Sequence, residues 1–175
     1  MIDRSVEGKN VNTADIICGW DKDYFYILYT VPDDTPATND HKRHVCLGDG
    51  VEMFFGADLT TTGRMQPGDR QLLIRANQYT EPEYLWSVNG GNLKKALTPK
   101  RFCKIASDRK SWSLEVAVPW KELGITPKTG LKFRFDTAVV LSTKRIDERD
   151  DKLVWNGLEE NYCCRDYWGT VVLED

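Results

Sequence analysis

The chain has no apolar run approaching the roughly 20 residues that a membrane-spanning helix needs, and Met1 to Thr13 is too polar to act as a secretory leader. No membrane partner is expected, and if the protein is secreted its signal lies outside this sequence. A basic stripe is missing as well. Lys and Arg number 24 against 27 Asp and Glu, the formal charge is -3, and the cations are scattered, so nucleic acid is not an expected partner. The five cysteines, Cys18, Cys46, Cys103, Cys163 and Cys164, show no paired C-x-x-C spacing, and the two histidines stand apart from most of them, which argues against zinc. Their spacing fits small buried thiols, or up to two bridges in an oxidising compartment. Gly-rich phosphate loops, a Ser-His-Asp order, a Cys-His signature and EF-hand spacing are all absent. Neither a linker nor an internal repeat divides the 175 residues, and residues 1–175 read as one domain.

What the chain does have is short β patterns and many rings. Hydrophobic residues make up 41% and charged residues 29%, as in ordinary folded domains. Six Trp, seven Tyr and six Phe exceed what core packing alone usually takes, so some rings are expected to face a ligand. Tyr24 to Val31, almost all aromatic or branched and stopped by Pro32, predicts a central strand. Pro32 to Gly48 has no period and reads as a long exposed loop. Further strands are expected at Val51 to Phe55, Gln71 to Ala76, Tyr84 to Val88, Phe102 to Ala106, Trp112 to Val118, Leu131 to Leu141 and Thr170 to Leu173. Pro119-Trp120-Lys121-Glu122-Leu123-Gly124 is the one helical turn, with Pro opening it and Gly closing it. Trp120 and Trp112 are expected in the core. About nine strands and one helical turn predict an all-β fold, an antiparallel β-sandwich of jelly-roll or immunoglobulin-like type.

The segment from Asp49 to Asn77 carries the chemistry. Side chains alternate between faces along a strand, so Val51, Met53 and Phe55 fall together and Glu52 shares the other face with Phe54. In the next strand Leu72, Ile74 and Ala76 form the apolar side, while Gln71, Arg75 and Asn77 line the opposite one. A guanidinium fork, amides and a carboxylate on one face suit a polyhydroxylated ligand, whose oxygens both donate and accept. The bland alternative is a solvated face with a salt bridge from Arg75 to Glu52. Asp33 and Asp34 offer oxygens that calcium could use, although acids in such a loop more often form turns. The run Asp147 to Asp151 reads as a solvated loop.

The succession WDKDYFYILYTVPDD, DGVEMFF, RQLLIRAN, SWSLEVAVPWKELGITPKTGLKFRFD and WGTVVLED resembles the family-9 carbohydrate-binding modules from about Gly19 onward. That resemblance implies a non-catalytic, secreted or extracytoplasmic module. Its partners would be a polysaccharide or oligosaccharide and an attached or partner glycoside hydrolase, and some members hold structural calcium. It places Glu52, Arg75 and Asn77 in the site, with Gln71 beside them. The family's two clamping tryptophans are not matched: His44-Val45-Cys46-Leu47 stands at one clamp region and Asn161-Tyr162-Cys163-Cys164 at the other. His44, Trp155 and Tyr162, together with Trp86, are therefore the candidates to contact or stack on a sugar, and a bridge between Cys46 and Cys163 or Cys164 is conceivable there. Two other readings stand beside this one. A family-9-like scaffold could serve protein interaction without sugar, and related sandwich domains bind b-type haem through an axial Met and His, for which Met53, Met65, His41 and His44 are the available residues.

Overall fold

The computed structural model describes residues 1, 4–5, 13–35, 46–77, 85–89, 97–142 and 149–175, with the backbone alone at 4–5 and 85–89. Eleven strands run through these residues: β1 (Arg4–Ser5), β2 (Asp15–Trp20), β3 (Tyr24–Pro32), β4 (Gly50–Gly56), β5 (Arg70–Arg75), β6 (Leu85–Asn89), β7 (Lys100–Ile105), β8 (Ser111–Pro119), β9 (Lys132–Leu141), β10 (Asp151–Val154) and β11 (Gly169–Val172). All pairings are antiparallel. The smaller sheet has the order β2-β3-β8-β7 and the larger β1-β10-β9-β4-β5-β6, with β11 also on β9. β9 is long enough to share one edge between two partners: Lys132 to Phe135 pairs with β11 and Ala138 to Leu141 with β10.

Alternation fills the space between the sheets. Phe25, Ile27, Tyr29 and Val31 of β3 and Trp112, Leu114, Val116 and Val118 of β8 meet Val51, Met53 and Phe55, Leu72 and Ile74, and Phe133 and Phe135 from the larger sheet. Phe25 sits at the centre, its ring 5.4 to 6.0 Å from those of Phe55, Trp120, Phe133 and Phe135. Burying one such side chain stabilises by about 1.5–3 kcal/mol, and ring pairs add about 0.5–1.5 kcal/mol. The helical turn α1 (Trp120–Leu123) caps one end of this core. Trp120 is buried there and donates its indole N–H to the Asp21 carbonyl, and Gly124 ends the turn at φ 68, a left-handed conformation that costs glycine nothing.

Met53 is fully buried in this core, on the side away from the polar face, and His41 and His44 lie outside the described residues. Three strands lie outside the sequence reading: the two-residue β1, β2 and β10. β2 is an edge strand with Gly19 and Cys18 in its middle, which blurs its period. β10 takes up the end of the acidic run, so Asp151 and Lys152 are buried rather than solvated.

All five cysteines are free thiols, so the Cys46 to Cys163 or Cys164 bridge is not formed in this structure. Cys103 is buried on the inner side of β7, and burial pushes its thiol up to about 11. At about pH 8 such a thiol holds far less thiolate than an ordinary one. Iodoacetamide is therefore expected to reach Cys103 after the exposed Cys46 and Cys163. Intact mass after denaturation without reductant should show five adducts, and three or fewer would mean a bridge.

Candidate functional site

The register lays out the outer face of the larger sheet in cross-strand rows. Arg75, Gly50, Val140 and Lys152 form one row, Leu73, Glu52, Ala138 and Val154 the next, and Gln71, Phe54 and Asp136 a third. Strands lie about 4.8 Å apart, so Arg75 and Lys152 hold opposite ends of a row about 14 Å long, with Glu52 between them one row on. Gly50 leaves bare backbone beside Arg75, and a Cβ added there would meet the Ile74 carbonyl oxygen at 2.6 Å. Asn77 continues the alternation just past β5, where the Ala76 N–H still donates to the Asp49 carbonyl. Glu52, Gln71, Arg75 and Asn77 therefore share one face, as their spacing predicts.

That face is not open to solvent. Glu52, Gln71, Arg75 and Asn77 are 4%, 5%, 0% and 7% exposed, and every residue of β4 is buried. Part of the cover is the chain after β10, which folds back as two 3-10 turns, Glu159–Tyr162 and Arg165–Tyr167. Trp168 then stacks on Phe54 with centroids 5.7 Å apart and donates its indole N–H to the Asn161 carbonyl at 2.7 Å.

The Arg75–Glu52 salt bridge of the bland alternative is not formed. Glu52 instead meets Lys152, whose Nζ lies 2.9 Å from Oε2. The same ammonium donates to Asn161 Oδ1 at 2.8 Å and to the Glu159 carbonyl at 3.4 Å. Asn161 passes its amide hydrogen to Asp136 Oδ2 at 3.0 Å, and Asp136 Oδ1 accepts from the Asn156 N–H. A hydroxyl relay fixes β4 from behind: Tyr29 donates to Thr137 at 2.6 Å, and Thr137 to the Glu52 carbonyl at 2.7 Å. A second ion cluster ties down the covering segment. Arg165, fully buried, lies 3.3 Å from Asp69 and 3.7 Å from Asp58 and donates to Thr61 Oγ1 and the Asp58 carbonyl.

Two carboxyls here are pushed in opposite directions. Burial raises Asp136 above the usual carboxylate range, while the hydroxyls and N–H groups of Thr61 and Thr60 hold Asp58 well below it. Asp58 therefore contributes stability that is present above its unfolded value, near 3.9, and is lost as pH falls through the lower folded one. For Asp136 the sign reverses: stability is present below the unfolded value and is lost as pH rises through the higher folded one. Carbon-detected NMR titration should show Asp136 titrating above about 3.9 and Asp58 below it.

Of the other candidates, Tyr162 lies beside Asn161 on the covering turn and is half exposed. Trp155 is separated from the group. It packs against Phe135 at 5.8 Å and lines a pocket with Ile16 and Thr137 on the inner side of the sheet. His44 lies outside the described residues, and Trp86 has only its backbone described. Asp33 is committed to the fold: Oδ2 accepts the Trp112 indole N–H and Oδ1 the Thr35 N–H. Asp34 is exposed beside it, and no group of three or more His, Cys, Asp or Glu side chains placed to hold a metal occurs among the described residues. Lys152, Asn161, Asp136 and Trp168 escaped the sequence reading. Alternation around Leu153, a core residue, was the available sign that Lys152 points to the polar side.

No curated protein sequence matches the chain. Among solved structures it is similar to a carbohydrate binding module family 9 from Caldicellulosiruptor kristjanssonii in complex with cellotriose: TM-score 0.79, 16% identity, 99% of this chain and 80% of that one covered. A carbohydrate binding module family 9 from the same organism in complex with glucose gives a TM-score of 0.76 at 16% identity, over 99% of this chain and 82% of that one. At such identity the likeness concerns the fold. The model of the family described as carbohydrate family 9 binding domain-like matches residues 2–175. With the whole sandwich, from its first edge strand to β11, inside that match, the chain belongs to the carbohydrate family 9 binding domain-like family.

Proposed function

We propose that this chain is a non-catalytic module that binds a saccharide on the outer face of its larger sheet. The observation that carries the reading is the convergence at that face of Glu52 from β4, Arg75 and Asn77 from β5 and the residues just after it, Lys152 from β10 and Asn161 from the covering turn. Family membership supports it, as do the glucose and cellotriose held by structures of the same fold. The chemistry suits the ligand. Each sugar hydroxyl donates one hydrogen and accepts others, which matches a guanidinium fork, an ammonium, a carboxylate and two amides. These groups are 7% exposed or less beneath the covering turns, so a sugar engages them where that cover yields; held by their neighbours, they lose little entropy on binding. Tyr162, half exposed at the covering turn, supplies a ring that could stack on a pyranose.

Glu52 faces an ammonium rather than the second carboxylate of a hydrolytic pair, which favours binding over bond cleavage. Such a module would raise the local concentration of an attached or partner glycoside hydrolase on its polysaccharide, outside the cytoplasm. Affinity electrophoresis through gels containing soluble β-glucans and xylans, with calorimetry against glucose and cellotriose, tests this. Retardation on at least one polysaccharide without release of reducing sugar is expected. No retardation and no heat on the whole panel, or reducing sugar released, would overturn it.

A further inference from the structure

The opposite side of the molecule carries a second feature that the polar face does not use. A trough of about 540 Å³ crosses all four strands of the smaller sheet on its solvent side. Its walls and floor follow from register: Gly19, Tyr26, Ala117 and Lys100 form one row, and Ile17, Leu28, Glu115 and Phe102 the next. Gly19 and Ala117 keep the floor low. Phe102 stands 64% exposed at one end, Ile17 66% exposed at the other, and Tyr26 40% exposed in the wall between. Three strand spacings make the trough about 14 Å long.

The Tyr26 ring is held in place without being buried. Its hydroxyl donates to Asp21 Oδ2 at 2.8 Å, while Asp21 Oδ1 is itself anchored by the N–H groups of Asp23 and Tyr24 at 2.7 and 2.8 Å. Tyr24 packs beside it at 5.9 Å with its ring tilted by 41°, beneath the Lys100 ammonium at 4.5 Å. A fixed, exposed ring flanked by a donor in Lys100 and an acceptor in Glu115 is not what a surface for another protein requires. The core of such a surface is depleted of Lys and Glu. The trough has instead the volume of a small-ligand site, charged groups of both signs inside it, and ring faces for C–H stacking.

We infer that this trough is an accessory binding site for a neutral oligosaccharide segment, stacked on Tyr26 and Phe102 and hydrogen-bonded by Lys100 and Glu115. The ligand class rests on the saccharide reading above; the site itself does not. Two sites on opposite faces would let one module hold a long chain, or two neighbouring chains, with retention beyond that of either site alone.

The test compares the full chain with a Tyr26→Ala/Phe102→Ala variant, a Phe102→Ser variant and an Arg75→Lys variant, on the polysaccharide that retards the unaltered protein and on glucose. Unfolding midpoints establish which variants are folded, and Phe102→Ser carries the test alone if the double variant is not. The trough variants should lose at least about tenfold in polysaccharide affinity while glucose binding stays unchanged, and Arg75→Lys should lose glucose yet keep residual polysaccharide retention. Polysaccharide retention equal to the unaltered protein's in the trough variants would overturn the accessory site and leave the polar face standing. If only the trough variants lose retention, the site stands and the polar-face reading falls. No retention by the unaltered protein overturns both. A change from dimer to monomer on sedimentation, without loss of sugar, would identify the trough as a contact between copies and overturn the proposal.

Discussion

Lys152→Met is expected to lower the unfolding free energy by about 3–5 kcal/mol, the cost of leaving a buried carboxylate without its counter-charge. The two ends of this pair are 1% and 5% exposed at the side chain, with 2.9 Å between them, so water cannot replace the ammonium cheaply. Methionine keeps the length and the apolar stem but removes all three donors, abandoning Glu52, Asn161 and the Glu159 carbonyl together. Glu52→Gln combined with Lys152→Met should cost much less than Lys152→Met alone, since no unpaired charge remains. Urea denaturation of both variants and of Glu52→Gln closes the cycle. A Lys152→Met change of under about 1 kcal/mol, as found for exposed pairs, would mean that solvent reaches the pair.

The largest effect on binding is expected at Arg75. Arg75→Lys retains the charge and most of the stem, so it spares the buried electrostatics that alanine would disrupt, but it exchanges a planar fork for a point charge. Losing one or two hydrogen bonds from a charged donor costs about 1.5–3 kcal/mol each. That corresponds to a loss of about 10- to 150-fold or more in saccharide affinity, since 1.4 kcal/mol is tenfold. Calorimetry beside an unfolding curve separates the two effects. Binding within a factor of two of the unaltered protein would remove Arg75 from the contact surface.

These residues show what a sequence can and cannot display. Strands β3, β4, β5 and β8 were legible because one face of each packs the core and writes a period of two into the chain, and the PWKELG turn because its ends carry Pro and Gly. The co-facial set of Glu52, Gln71, Arg75 and Asn77 follows from the same alternation. What lies on top of a face does not. The partner of Glu52 comes from β10, far along the chain and hidden in an acidic run. In the sequence Lys152 simply follows the acidic run; in the fold it lies in the same row as Arg75 with Gly50 and Val140 between them. Trp155 is 41% exposed, but it follows β10 to the side away from Glu52 and packs on Phe135, a placement that its polar neighbours in the sequence do not reveal.

The burial of the polar face was equally invisible, because it arises where 3-10 turns rich in Glu, Asn, Cys and Arg fold over a sheet. Nothing periodic marks such a cover. It holds through particular bonds, Trp168 to Asn161, Asn161 to Asp136 and Arg165 to Asp69, each between residues distant from the face in sequence or lacking any apolar pattern.

The central claim is that the outer face of the larger sheet is where a sugar is held. Titrating isotope-labelled protein with cellotriose and following backbone and side-chain N–H signals tests it most directly. The account predicts the largest shifts at the Arg75 guanidinium, the Asn77 and Asn161 amides and the backbone of β4 around Glu52. Shifts confined to other parts of the molecule, with those four positions unmoved at saturation, would contradict it.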